Sequence, residues 1–187
     1  MPRPTLKNCL LAAMMFSSLS LMGCQSARIE NPLIAPGVVN ADEEQQLAFW
    51  HELAQRPLVA NDEAFHALLL FVDGKDENTD YAGRVEALKS RRMLPGSFNA
   101  PADQAITRGD LAVALAGALD IKGGVMMRLT GGTSARYATR ELIYQGVYPQ
   151  GVEYQTFTGT QFVGIIAQAE DYQREHGRKE TPASPVE

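Results

Sequence analysis

The residue with the most specific chemistry is Cys24, which closes the run Leu21-Met22-Gly23-Cys24. A thiol directly behind a small residue, at the end of a short apolar stretch, matches the bacterial lipobox pattern Leu-x-Gly/Ala-Cys. The small residue fits the signal peptidase pocket, and the sulfur takes a diacylglycerol. Upstream lie Arg3 and Lys7, then an apolar run from Cys9 to Ser20. That run is shorter than the ~20 apolar residues a permanent span needs, and a basic start before a short apolar stretch is the layout of a secretory signal. Residues 1–23 are therefore expected to be a removable lipoprotein signal peptide, and Cys24 the lipidated first residue of the mature chain. Each buried methylene of an acyl anchor contributes about 0.8 kcal/mol, and stable attachment takes more than one chain. Gln25 stands where an Asp would be the usual inner-membrane retention signal. The expected location is the bacterial cell envelope, lipid-anchored on a periplasmic or surface face, with the outer membrane favoured in a host that has two.

Other candidate chemistry is weaker. Of the histidines His51, His66 and His176, His66 follows Asp62 by four residues, so the two share a helix face and a metal site is conceivable. We read them as a solvated surface pair. Gly131-Gly132-Thr133-Ser134 precedes a helix, but it lacks the Gly-Lys-Ser/Thr ending of a nucleotide loop, so it reads as a turn with an N-cap. The acidic loop Asp73-Gly74-Lys75-Asp76-Glu77-Asn78-Thr79-Asp80 has oxygen ligands for calcium, without EF-hand spacing. It reads as a solvated loop that caps the next helix through Thr79 or Asp80. The basic residues Arg91 and Arg92, with Lys89 and Arg84, are expected to be exposed at a helix end, where they complement its dipole. No Gly-x-Ser-x-Gly occurs. No catalytic residue, metal or cofactor is assigned, and the chain is expected not to be an enzyme.

Composition narrows the partners. Loss of residues 1–23 would leave 164 of the 187, enough for one domain with a real core. It would also remove Arg3 and Lys7, taking the formal net charge from −5 to −7. An acidic body disfavours nucleic acid or anionic lipid as the main partner. Cys9 leaves with the leader and Cys24 is acylated, so no disulfide is expected and stability rests on the core.

The elements that must position any site are helical. Apolar residues recur at helical spacing over 42–54 (Leu47, Trp50, Leu53), 61–72 (Phe65, Leu68, Leu69, Val72), 80–91 (Tyr81, Val85, Leu88), 107–119 (Leu111, Leu115, Leu119), 134–146 (Tyr137, Leu142, Ile143) and 158–172 (Phe162, Ile165, Ile166, Ala169). Gly123 to Leu129 is expected as a short strand, with a short β-hairpin as its setting. Residues 24–41, with two prolines and a glycine, read as the lipidated cysteine and a flexible tether. Residues 174–187 read as a disordered tail. The domain is then 42–173. Within it an internal repeat appears. Asn61, Thr107 and Thr158 are good N-caps, spaced 46 and 51 residues apart. Each is followed four residues on by Phe65, Leu111 and Phe162. Ile106 and Phe157, just before two of the caps, are placed to form hydrophobic staples. Each such helix is preceded by another that carries Phe49-Trp50, Tyr81-Ala82 or Tyr137-Ala138.

The middle copy resembles the S-layer homology repeat. It reads Phe71-Val72-Asp73, then Tyr81-Ala82, Met93-Leu94-Pro95-Gly96-Ser97-Phe98-Asn99-Ala100-Pro101, and Ile106-Thr107-Arg108-Gly109-Asp110-Leu111-Ala112. The last copy, Tyr137-Ala138 to Phe157-Thr158-Gly159-Thr160-Gln161-Phe162, is degenerate, and the first, Leu58 to Phe65, is truncated. The resemblance spans roughly residues 42–173. It implies a mostly α fold of three helix–loop–helix units around a shared core, with grooves that bind anionic, often pyruvylated, cell-wall polysaccharide. Carried over by position, Arg108 matches the motif arginine, while Asp62 and Gly159 stand in its place elsewhere. Tyr81 and Tyr137 replace the family's tryptophan. Arg108, Tyr81 and Tyr137 are the expected ligand contacts.

These readings converge on a membrane-anchored envelope lipoprotein with a binding or structural module. Its expected partners are the membrane, through lipid, and cell-wall polysaccharide or an envelope protein. An envelope enzyme or metal-dependent accessory protein, and a periplasmic protein–protein scaffold, stay open as alternatives.

Overall fold

The computed structural model describes residues 27–34 and 42–177; the leader, Cys24 and residues 178–187 lie outside the described residues. The described chain is mostly helical, with seven helices and no sheet among the described residues. They are α1 (Glu43–Ala54), α2 (Asn61–Asp73), α3 (Tyr81–Ser90), α4 (Arg108–Ala118), α5 (Val125–Leu129), α6 (Ala135–Tyr144) and α7 (Gly159–Gly177). No described helix is long and apolar enough to cross a membrane.

Two local expectations are corrected. Residues Val125–Leu129 form a short helix rather than a strand, and what β structure exists is isolated bridges, not a hairpin. Met127 alone of that helix is buried, so one anchoring side chain decides its placement. The last helix runs on to Gly177, into the stretch expected as tail. There Arg174 pairs with Asp171 and His176 stacks on Tyr172 at 3.8 Å, local contacts at helical spacing that extend the helix past its buried stripe.

The core follows the apolar stripes. Phe65, Leu68, Leu111, Leu115, Leu142 and Phe162 are fully buried. Leu47 and Val72 are exceptions, at 70% and 37% exposed: Val72 lies in the last turn of α2, and α1 touches the body mainly through its C-terminal half, where Leu53 is its one buried residue.

The repeat is present, but its helices pair across units rather than within them. α3 packs on α2, α6 packs on α4, and α1 packs on α7. The last pairing joins the first helix to the last and closes a ring. Backbone hydrogen bonds close the same ring. The first N–H groups of a helix have no partner within it. Here Asn61 and Asp62 donate to Gln104 and Ala102 at 2.8 and 3.1 Å, Arg108 and Gly109 to Gln155 and Glu153 at 2.7 Å each, and Gly159 to Arg56 at 2.8 Å. The loop entering α4 thus caps α2, the loop entering α7 caps α4, and the segment entering α2 caps α7.

The repeat register shifts by one residue in its first copy. The N-cap of α2 is Ala60, not Asn61. Ala60 offers no side-chain oxygen, but the Glu63 carboxylate accepts from its N–H at 2.9 Å, which is the reciprocal half of a capping box. Thr107 caps α4, accepting from Asp110 N, and Thr158 exchanges two bonds with Gln161. The residues four beyond the caps are therefore Ala64, Leu111 and Phe162. Phe65 sits one place later, stacked on Tyr81 at 5.7 Å and edge-on to Phe98 at 5.4 Å.

Part of the stretch read as a flexible tether lies on the body. Ala27 O accepts from Ala105 N at 2.9 Å, and Ile29 N donates to Asp103 O at 2.8 Å. Leu33 packs against the core, its N–H donating to Glu63 at 3.1 Å. The loop at 103–105 has backbone groups free on one edge, and this segment satisfies them.

Candidate functional site

In the structural register Arg108 is equivalent to Asn61 and Gly159, not to Asp62. All three sit at the first helical position after the cap, and each treats its groove differently. Asn61 donates from Nδ2 to Pro101 O at 2.9 Å. Arg108, 5% exposed, donates to the corresponding Pro149 carbonyl and lies 5.1 Å from the ring centres of both Tyr148 and Phe157. Gly159 carries no side chain because the Leu53 carbonyl fills that space.

Tyr81 is half-buried and donates to Ala100 O at 2.7 Å. Burial, with the nearby charges of Asp62 and Asp110, pushes its hydroxyl well above the usual tyrosine range. Tyr137 is half-buried against the core. Arg108 and Tyr81 therefore hold loops through backbone carbonyls. Tyr81→Phe is expected to cost about 1 kcal/mol, one hydrogen bond, in a denaturant titration; a change under a few tenths would show that the hydroxyl is idle.

A buried polar cluster went unrecognised in the sequence. Arg84, read there as part of an exposed basic run, is 1% exposed. It pairs with Asp62 at 2.7 Å and with Asp76 at 2.5 Å. Asp76 also accepts from His66 Nδ1 at 2.6 Å and from Asn78 N and Nδ2 at 2.9 and 2.8 Å. The ring of Phe49 meets His66 edge-on at 4.7 Å. Burial alone would raise the Asp76 carboxyl, but hydrogen bonds from His66, Arg84 and Asn78 outweigh it and hold it well below the ordinary carboxylate range. Asp62 and His66 do share a face, as their spacing suggested. They are joined to Arg84 and Asp76 rather than left to solvent, and the acidic loop folds inward to reach them. The guanidinium supplies the positive charge between the two carboxylates, so the cluster fastens α2, the loop and α3 together. The spacing of Asp62 and His66 was the available signal, but nothing local identified their partners 22 and 10 residues further on, at Arg84 and Asp76 respectively.

Two open clefts stand out among the described residues. One, of about 460 Å³, lies between the C-terminal ends of α3 and α4 and helix α5. Val113, Ile121 and Met127 form its floor, and Arg91, Arg92, Lys122 and Arg128 stand around it. Arg91 pairs with Asp73 and Lys122 with Asp120 at 3.4 Å. Arg92 and Arg128 have no ion pair among the described residues. Helix C-termini attract cations, and here those of three helices share one opening. The other cleft, of about 430 Å³, lies between α6 and the 150–154 loop; Arg136, Arg140, Thr139 and Tyr154 are among its lining residues. Neither cleft is lined by Arg108, Tyr81 or Tyr137.

No family model matches the chain, and neither the curated proteins nor the solved structures include one significantly similar to it.

Proposed function

We propose that this chain is a bacterial envelope lipoprotein, held by acyl chains on Cys24, whose helical ring is a non-catalytic module binding an anionic envelope polymer, cell-wall polysaccharide first. The observation that carries the binding half is the 460 Å³ cleft with four cations at its edge, on a chain whose formal net charge is −5. A basic opening on an acidic protein is a local preference for anions, since the whole-molecule field would otherwise repel them. The apolar floor suits the faces of sugar rings or the methyl of a pyruvyl ketal. The anchor half rests on Leu21-Met22-Gly23-Cys24 and the basic–apolar leader before it. The likeness to S-layer homology repeats points the same way. The ligand contact moves, however, from Arg108, Tyr81 and Tyr137 to Arg92 and Arg128, because Arg108 and Tyr81 hold backbone carbonyls of the fold and Tyr137 lines neither cleft.

The test is cosedimentation with purified anionic wall polysaccharide. Exchanging two cations for acids removes two charge-assisted contacts worth ~1.5–3 kcal/mol each, so Arg92→Glu with Arg128→Glu is expected to weaken retention at least about tenfold. Retention should also fall with added salt. Unchanged retention of the double variant at low salt would sink the cleft as the binding site. Retention of a protein partner instead of polysaccharide would favour the scaffold reading.

A further inference from the structure

We infer that the body of this chain lies directly on the bilayer that holds its lipid, with the 150–154 loop and the start of α6 turned toward the headgroups. The inference rests on the reading of Cys24 as the acylated residue, and it concerns where the rest of the molecule must then be. From Cys24 to Ala27 there are three residue steps, which span at most about 10 Å even fully extended. Ala27 is already fastened to the body, by its bond from Ala105 N and the antiparallel bridge of Arg28 with Gln104. A leash that short cannot lift a domain of this size off the surface. It holds the body against the headgroups by the face nearest Ala27.

That face is the end of the molecule where α4 begins. Ala105 lies two residues before the α4 cap Thr107, and Thr107 bridges Thr156. Glu153 accepts from Gly109 N, and Gly109 abuts Ala135 at the start of α6. The same end carries interfacial chemistry. Tyr154 is 76% exposed, and tyrosine is a residue that settles at the headgroup level. Arg136 and Arg140 have no ion-pair partner among the described residues, although Glu153 lines the cleft with them. Beside them the hydroxyl of Thr139, a 2% exposed residue, is buried without a hydrogen-bond partner. Two unpaired guanidinium groups and an unsatisfied hydroxyl around one opening suit a lipid phosphate. The basic cleft of the proposed polymer site lies at the other end of α4, about 16 Å along an 11-residue helix. Docking at one end therefore presents that cleft to whatever lies beyond the membrane.

The test uses the full chain, expressed with its leader, purified as the lipoprotein and reconstituted into vesicles of phosphatidylethanolamine and phosphatidylglycerol. A fluorophore is placed through Tyr154→Cys or, at the opposite end, Lys122→Cys; both residues are exposed, so neither change threatens folding. A bilayer-borne quencher is expected to dim the label at 154 severalfold more than the label at 122, and aqueous iodide to show the reverse order. Intact mass of the same preparation reports the lipid. A chain without diacylglycerol on Cys24 overturns the anchor and the docking together. An acylated chain whose two labels are quenched alike by both agents overturns the docking and leaves the anchor standing.

Discussion

Arg84→Ala is expected to lower the unfolding free energy by about 3–5 kcal/mol, the usual consequence of removing one partner from a buried ion pair. For a chain of this size that corresponds to a fall in Tm of about 10 °C or more. The size comes from what is left behind. Asp76 is 4% exposed and would keep its charge with only His66 and Asn78 to hold it, while Asp62 would lose its partner at 2.7 Å. Asp76→Asn is the companion variant, because it removes the charge and keeps the shape. Its effect carries a pH signature. The folded Asp76 carboxyl is held below its ordinary value, so its stabilising contribution is fully present above the unfolded carboxylate range, near pH 4. That contribution is lost as pH falls through the lower, folded value. Wild type should therefore exceed Asp76→Asn in stability at pH 7, and the margin should shrink as pH falls below about 4. A margin that is the same at pH 7 and pH 3 would mean that Asp76 is not held ionised by its partners. If Arg84→Ala costs less than about 1 kcal/mol, the cluster is solvated rather than buried.

How much of this was legible beforehand depended on whether the signal was local. Helix positions followed from apolar spacing, because α2, α4 and α7 each bury a stripe that recurs at helical period. Thr107 and Thr158 were readable as caps because a hydroxyl and a carboxylate or amide three residues on cooperate over one turn. Ala60 was not readable, since its cap function comes from Glu63 and from carbonyls at Ala102 and Gln104, some forty residues away. Asn61 looked the better cap on propensity; its amide instead reaches Pro101, a choice only the tertiary fold can offer. Arg84 was misread for the same kind of reason: a long cation on a short helix is usually solvent-facing, and only two carboxylates arriving from α2 and the following loop make burial tolerable. Arg108 was singled out as a ligand contact, but the carbonyl and aromatic partners it has in the fold belong to the 148–157 stretch, which no local pattern tied to it. The pairing of α1 with α7 had no sequence signal beyond the repeat itself.

Gly159 is where that pairing can be tested most sharply, since the ring closes through it. A Cβ built there would fall within the van der Waals envelope of the Leu53 carbonyl oxygen, and would also lie 3.1 Å from the backbone of Ala54. Both obstacles are main chain, so no rotamer change makes room. α1 would have to move off α7, and the bond from Gly159 N to Arg56 O at 2.8 Å, the link from Thr160 Oγ1 to Ala54 O at 2.9 Å and the burial of Leu53 would go with it. Overpacking commonly costs 1–3 kcal/mol; with two backbone obstacles and the lost contacts, Gly159→Ala is expected to cost about 3 kcal/mol or more. Gly164 supplies the control in the same helix. Nothing lies within 4 Å of a Cβ there, so Gly164→Ala should stabilise by about 0.5–1 kcal/mol through helix propensity and a less flexible unfolded chain. Opposite signs for one substitution five residues apart are what a closed ring requires. Parallel gains at both positions, read from urea midpoints at constant m, would mean that α1 does not seat on α7. The molecule would then be an open row of helix pairs, without the continuous loop of caps that joins its last unit to its first.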